Sequence, residues 1–432
     1  MKMSKWALFA ALACGIPGVE AGAQENMLGI TRVSHLRGAC DCGQVACGCE
    51  SEEIGGEGGS CDSACDSAAA AGLGDPWKLF ADVEAIDIGG WTNIGFHNRR
   101  MKNFFTYPGK VQLHQQWLYA EKAIDTEDGF DIGGRVDYVY GTDGPDTQVF
   151  GTNRGWDSGW DNGSQYGHAL PQAYFETGYG DLSVKVGHFF TLIGWEVVPA
   201  PNNFFYSHSY TMYNSEPFTH TGALAKYAAG ESTTLWGGYV LGWDNGFDDN
   251  GDAFLGGISQ GVGEDLTLTY ATIMGRFAEA RFTAVETGYM HSLIADYAVT
   301  DKLQYIIQND ILSSNLAGGA TARDVYDINQ YLIYSINDHW SLGSRFEWWS
   351  VARDSANYFV NPPPLTSTTG RVDVYAITAG VNYKPNANII VRPEVRYDWA
   401  SGPVDDGIQQ LGLFKAGRDD QFTFGIDSIF LF

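Results

Sequence analysis

DQFTFGIDSIFLF, running from Asp420 to Phe432, alternates with a period of two. Phe422, Phe424, Ile426, Phe430 and Phe432 share one parity, interrupted only by Ser428, while Thr423, Gly425 and Asp427 hold the other. Successive side chains of a strand point to opposite faces, so the stretch predicts a strand with one large apolar face and one small or polar face. An apolar face built from Phe needs lipid or a protein core to cover it.

An aromatic that closes an amphipathic strand resembles the ending of bacterial outer-membrane barrels, in which Phe430 and Phe432 would serve as a membrane-assembly signal; the alternative is an ordinary core strand. Composition agrees with the first reading. The 432 residues include Gly 54, Tyr 23, Phe 24 and Trp 13, yet the mean hydropathy is only -0.19. No uninterrupted apolar run reaches the roughly 18 residues of a helical span, which excludes helical membrane crossing. Lipid-facing surface spread over alternating strands fits both facts.

The opening, MKMSKWALFAALACG, places Lys2 and Lys5 before a short apolar run, and Ala21-Gly22-Ala23 follows as a small-x-small cleavage pattern. Residues 1–23 are predicted to be a secretory signal. Cys14 after Ala-Leu-Ala offers lipoprotein cleavage instead, but Ala11 stands where a larger aliphatic residue is usual. Export puts Cys40, Cys42, Cys47, Cys49, Cys61 and Cys65 in an oxidising compartment. Their even number favours disulfides, within the segment or to a cell-wall partner, with a thiolate metal site as the alternative. Residues 24–75 are too poor in apolar side chains to fold alone and are read as a Cys-rich, flexible periplasmic extension.

From Pro76 onward one unit repeats: a tight turn, an amphipathic strand, a longer polar and aromatic loop, and a returning strand. Gly180-Asp181, Glu264-Asp265, Asp301-Lys302 and Asp338-His339 mark the clearest turns, with an acceptor side chain starting each strand in the same register. Strands are predicted at 86–97, 111–123, 129–141, 169–179, 181–190, 221–229, 232–243, 252–262, 266–277, 286–299, 302–314, 324–336, 339–351, 372–383, 387–400 and 420–432. Short and long connections alternate strictly between them, and an even count returns both ends to the short-turn side. In 387–400, Val391, Pro393, Val395, Tyr397 and Trp399 alternate with Arg392, Glu394, Arg396 and Asp398. In 339–351, Trp340, Leu342, Phe346 and Trp348 alternate with Ser341, Arg345 and Glu347. The expected architecture for 76–432 is an all-β, transmembrane antiparallel β-barrel of about sixteen strands, with charges facing a wet lumen and aromatics facing lipid.

The longest connection, TLIGWEVVPAPNNFFYSHSYTMYNSEPFTH from Thr191 to His220, holds no Lys or Arg and is crowded with aromatics. It is too apolar for water and is expected to fold inward as a constriction loop. Glu196 and Glu216 would then face Arg135, Arg345, Arg392 and Arg396 across the pore, and their transverse field would favour polar solutes.

The run Gly187-His188-Phe189-Phe190, Gly194-Trp195-Glu196, Asn202-Asn203-Phe204-Phe205, Pro217, His220 and Thr221-Gly222, followed by Gly242-Trp243-Asp244-Asn245, resembles the signature of the OmpL-like β-barrel porin family of planctomycete type. It is distantly similar to phosphate-selective porins between Gly187 and Glu196. The resemblance covers about Asp75 to Phe432 and implies an outer-membrane channel for small hydrophilic solutes or ions, exported and oligomeric. Phosphate selectivity would imply a lysine-lined lumen, which 191–220 does not supply.

The acidic loop Asp244 to Asp252, DNGFDDNGD, offers oxygen ligands for Ca²⁺ but lacks the Gly placement and closing Glu of an EF-hand. No other cofactor is expected. With 26 Lys+Arg against 52 Asp+Glu, the net charge of -26 draws cations and argues against nucleic acid. His114, His188, His208, His220 and His291 are scattered, as His and Ser are by chance in any chain of this length, so no enzyme is expected. The remaining alternative to a channel is a plugged barrel that anchors the envelope through its Cys-rich arm.

Overall fold

The computed structural model describes residues 24–25, 31–32, 72–80, 85–101, 103–127, 129–149, 155–158, 165–247, 251–279, 285–352, 370–401, 414 and 418–432. The signal segment, the six arm cysteines and residues 248–250 of the acidic loop lie outside them.

Sixteen antiparallel strands close into one barrel. They are β1 (Asp87–His97), β2 (Val111–Lys122), β3 (Phe130–Gly141), β4 (Gly167–Tyr179), β5 (Leu182–Phe190), β6 (Thr219–Ala228), β7 (Thr233–Val240), β8 (Asp252–Val262), β9 (Leu266–Glu279), β10 (Val285–Thr300), β11 (Leu303–Leu316), β12 (Thr321–Asn337), β13 (Trp340–Ala352), β14 (Arg371–Asn386), β15 (Ile389–Ser401) and β16 (Asp420–Leu431). Each pairs with its neighbours in sequence, and closure comes from β16 on β1, with Gly425 opposite His97 and Leu431 opposite Trp91. Phe432 extends the seam by exchanging backbone hydrogen bonds with Gly90, at 3.0 and 2.9 Å. A closed ladder leaves no edge strand unpaired, which a hydrocarbon surround requires. Among the described residues no helix is long and apolar enough to cross a membrane.

Side-chain parity follows the sequence pattern. On β16, Phe422, Phe424 and Phe430 are exposed, whereas Thr423 and Asp427 are buried inside. On β15, Arg392, Glu394, Arg396 and Asp398 are all buried in the barrel, and Val395 and Tyr397 lie exposed outside.

One expectation needs correction. Connections do not alternate strictly in length: the outer links between Glu279 and Val285 and between Leu316 and Thr321 are shorter than the inner turn between Lys122 and Phe130. The strands around them run on past the lipid band, where neither face has to be apolar, so the polar stretch Ser313-Ser314-Asn315 still belongs to β11.

The interior is lined by buried side chains. Its outer half holds an apolar cluster that includes Phe189, Trp243, Phe277, Met290, Trp349 and Val374. At mid-depth the wall turns polar, with Asn93, Gln115, Asp137, Gln308, Arg345, Glu347 and Arg396 all buried.

Candidate functional site: the luminal loop

The connection from β5 to β6 leaves and returns at one point, because Thr191 N donates to Phe218 O at 3.0 Å. Between those ends it crosses the lumen. Pro199 opens a single 3-10 turn over Ala200–Asn202, and a short helix, Tyr210–Ser215, is capped by Ser209, whose hydroxyl accepts from Met212 N. Neither element is long enough to satisfy its own backbone, and a buried backbone amide without a partner costs free energy. The wall supplies the partners.

Glu347 on β13 accepts from Tyr210 N at 3.0 Å and from Thr211 N at 2.8 Å, where the helix begins. Glu394 on β15 accepts from Tyr206 N and Ser207 N at 3.0 and 3.1 Å. Carbonyls are met by cations: Arg392 donates to Ala200 O and Asn203 O at 2.9 and 2.7 Å, Arg396 to His208 O at 2.6 Å, and Arg345 to Ser207 O at 2.7 Å. Amide side chains complete the attachment. Gln115 donates to Val198 O and accepts from Ala200 N, while Gln308 accepts from Trp195 N and donates to Glu216. Charge-assisted bonds of this kind are roughly twice as strong as neutral ones.

Packing reinforces the polar clamps. A Cβ built on Gly343 would overlap the Phe204 ring, and one on Gly95 or Gly425 would overlap Tyr206. These wall glycines are therefore holes that receive loop aromatics. Gly343→Ala is expected to weaken loop docking by about 1–3 kcal/mol through overpacking, seen as increased flicker in single-channel recordings while the barrel itself stays folded.

Five of the six predicted pore charges come together on the loop or against it. The expected field across an open gap is replaced by contact: Arg345 pairs directly with Glu196, Arg392 with Asp427 at 2.6 Å, and Arg396 with Asp398 at 2.7 Å. Glu216 meets Gln308 instead of an arginine. Arg135 is the exception. It sits over the Tyr119 ring and pairs with Glu121 and Asp137 on its own stretch of wall. The physical reason is common to all: a low-dielectric, crowded interior does not leave charges apart when partners can be reached.

Parity placed Glu347 and Glu394 inward without assigning them to the loop, and Gln115, Gln308 and the aromatic trio Phe204, Phe205 and Tyr206 were not singled out as its anchors. The signal was present in part, since both glutamates lie on the inward parity of charged strands. In the acidic loop, Asp244 accepts from Phe218 N and Thr219 N at 2.6 and 2.9 Å, and Asp252 binds Arg276 and Tyr239. Among the described residues, no group of three or more His, Cys, Asp or Glu is arranged to hold a metal ion.

A closed sixteen-strand barrel with an apolar outer band, a charged interior and a loop folded into the lumen defines an outer-membrane porin. The chain belongs to the family described as "Putative beta-barrel porin-2, OmpL-like", which matches residues 85–432. Its fold is similar to that of in-vitro folded OmpT, an outer membrane protein of Vibrio cholerae in trimer form, with a TM-score of 0.53 and 13% identity over 80% of this chain and 99% of that one. An anion-selective porin from Comamonas acidovorans gives 0.53 and 10% identity, covering 80% and 99%. The outer membrane channel DcaP of Acinetobacter baumannii gives 0.52 and 12%, covering 82% and 100%. No match is found among curated proteins.

Proposed function

We propose that this porin is a narrow diffusion channel for small hydrophilic solutes, in which passage runs between the inward loop and the wall formed by β4 to β6. The observation that carries this reading is an asymmetry of the interior. Opposite the loop's base, Arg345, Arg392, Arg396, Glu347 and Glu394 are buried beneath the loop, whereas Tyr174, Glu176, Lys185 and Lys226 on β4, β5 and β6 remain only half-buried. Water and solute reach the second group more readily than the first. Lys185 lies over the Tyr174 ring at 4.1 Å and neighbours Glu176 across the ladder, so the path presents both signs of charge and an aromatic floor. Transport of this kind is partition and diffusion, with no covalent step and no cofactor.

Three further features belong to the same proposal. Residues 1–23 direct export, the Cys-rich segment 24–75 forms an arm in the periplasm, and the barrel assembles as a homo-oligomer, as the trimer form of the Vibrio cholerae protein does. Reconstitution of the purified protein in planar bilayers tests the central claim. Discrete, voltage-stable current steps are expected, with liposome swelling for solutes the size of glycerol and none for disaccharides. A barrel that inserts and passes no current rejects it.

A further inference from the structure

Ahead of the barrel, residues 72–80 form no helix or strand and are tied to the inner rim. Ala387 N donates to Leu73 O at 3.1 Å. Trp77 N donates to Asn388 Oδ1 at 2.7 Å, and Asn388 Nδ2 donates back to Trp77 O at 2.7 Å and to Leu431 O at 2.8 Å. Asn388 thus knots three segments: the β14–β15 turn, the end of β16 and this strap. The chain next enters β1 at Asp87, two strands on from β15 in the order β14, β15, β16, β1.

The strap's backbone is engaged, but its large side chains are not covered. Trp77 is 60% exposed, Leu79 50% and Phe80 37%. An isolated exposed apolar residue is ordinary, whereas three within four positions on a tethered segment mark a contact surface. The neighbouring outer wall at the same level is already lipid-facing: Phe430 is exposed, and Trp340 stacks on Tyr383 with ring centroids 4.3 Å apart. Tryptophan and other amphipathic rings collect where headgroups meet acyl chains. Trp77, Leu79 and Phe80 supply an exposed aromatic and apolar set in continuity with the aromatic wall.

We infer that Trp77 to Phe80 form an interfacial anchor, seated in the headgroup boundary of the phospholipid leaflet beneath β14 to β16. This holds whether or not the pore conducts.

The test uses the full chain in phosphatidylcholine vesicles whose acyl chains are brominated at shallow or deep positions. Subtracting the emission of Trp77→Phe from that of the unaltered protein isolates Trp77. Shallow bromines are expected to quench this component more than deep ones, and aqueous acrylamide to quench it least. Quenching by acrylamide without quenching by bromolipid overturns the anchor, and so does protection from both, which would mean that the arm covers the strap. A second measurement is cleavage after Lys78 by trypsin in vesicles. It is expected to quicken on the order of tenfold when Trp77, Leu79 and Phe80 are all replaced by Ser, positions that lie outside the barrel ladder. Equal rates also overturn the inference.

Discussion

Replacing residues 195–215 by a short Gly-Ser linker is expected to raise single-channel conductance on the order of fivefold, because sixteen strands enclose a water-filled channel once nothing crosses it. The excision is geometrically mild. Thr191 and Phe218 are already hydrogen-bonded to each other, and the β5–β6 ladder from Leu182 opposite Tyr227 to Phe190 opposite Thr219 needs nothing from the loop. Arg392 keeps Asp427 and Arg396 keeps Asp398 when the loop carbonyls are gone. Glu347, Glu394 and Arg345 lose loop partners at the moment when water floods the lumen, so their charges are hydrated and not stranded. Conductance in planar bilayers and the size limit in liposome swelling should rise together. If neither changes, the obstruction is the apolar cluster of Trp243, Phe277, Met290 and Val374 in the outer half, and the loop is not the element that sets the limit.

Much of this was legible in the sequence, for a definite reason. A period of two survives wherever one face meets lipid and the other meets water or charge, so the last strand and β15 announced their facing residue by residue. The outer ends of β11 and β12 did not: the strands run past the expected limits of 314 and 324, because Asn315 and Thr321 stand where no lipid imposes an apolar face. Parity also says that Arg135 and Arg345 both point inward, yet only Arg345 meets the loop. What separates them is angular position around the barrel, a property of closure that no single strand encodes. Glycines carried the opposite lesson. Gly95, Gly343 and Gly425 interrupt strand patterns as weak β-formers, and their use emerges only when Phe204 and Tyr206 arrive from a distant loop to occupy the space.

Arg345→Met should be the most disruptive single substitution at the loop. Glu196 is buried, and its carboxylate is held by the Arg345 guanidinium and by Ser209 N at 2.7 Å. Removing the cation leaves a buried anion with one backbone donor. Breaking a buried pair from one side costs about 3–5 kcal/mol, which multiplies the population of displaced-loop states on the order of 10²–10³. Glu347, Glu394 and Arg392 still hold other points of the loop, so the expected record is frequent opening to larger conductance states and not a permanently open pore. Arg345→Met combined with Glu196→Leu removes both charges and replaces them with apolar volume. Ser207 O and Ser207 Oγ lose the Arg345 guanidinium in either variant, a loss of about 1.5–3 kcal/mol each, so the double variant should lie between the single variant and the unaltered protein. If the double variant flickers as much as the single one, the stranded carboxylate is not the cause, and the loop is held chiefly by its aromatic anchors.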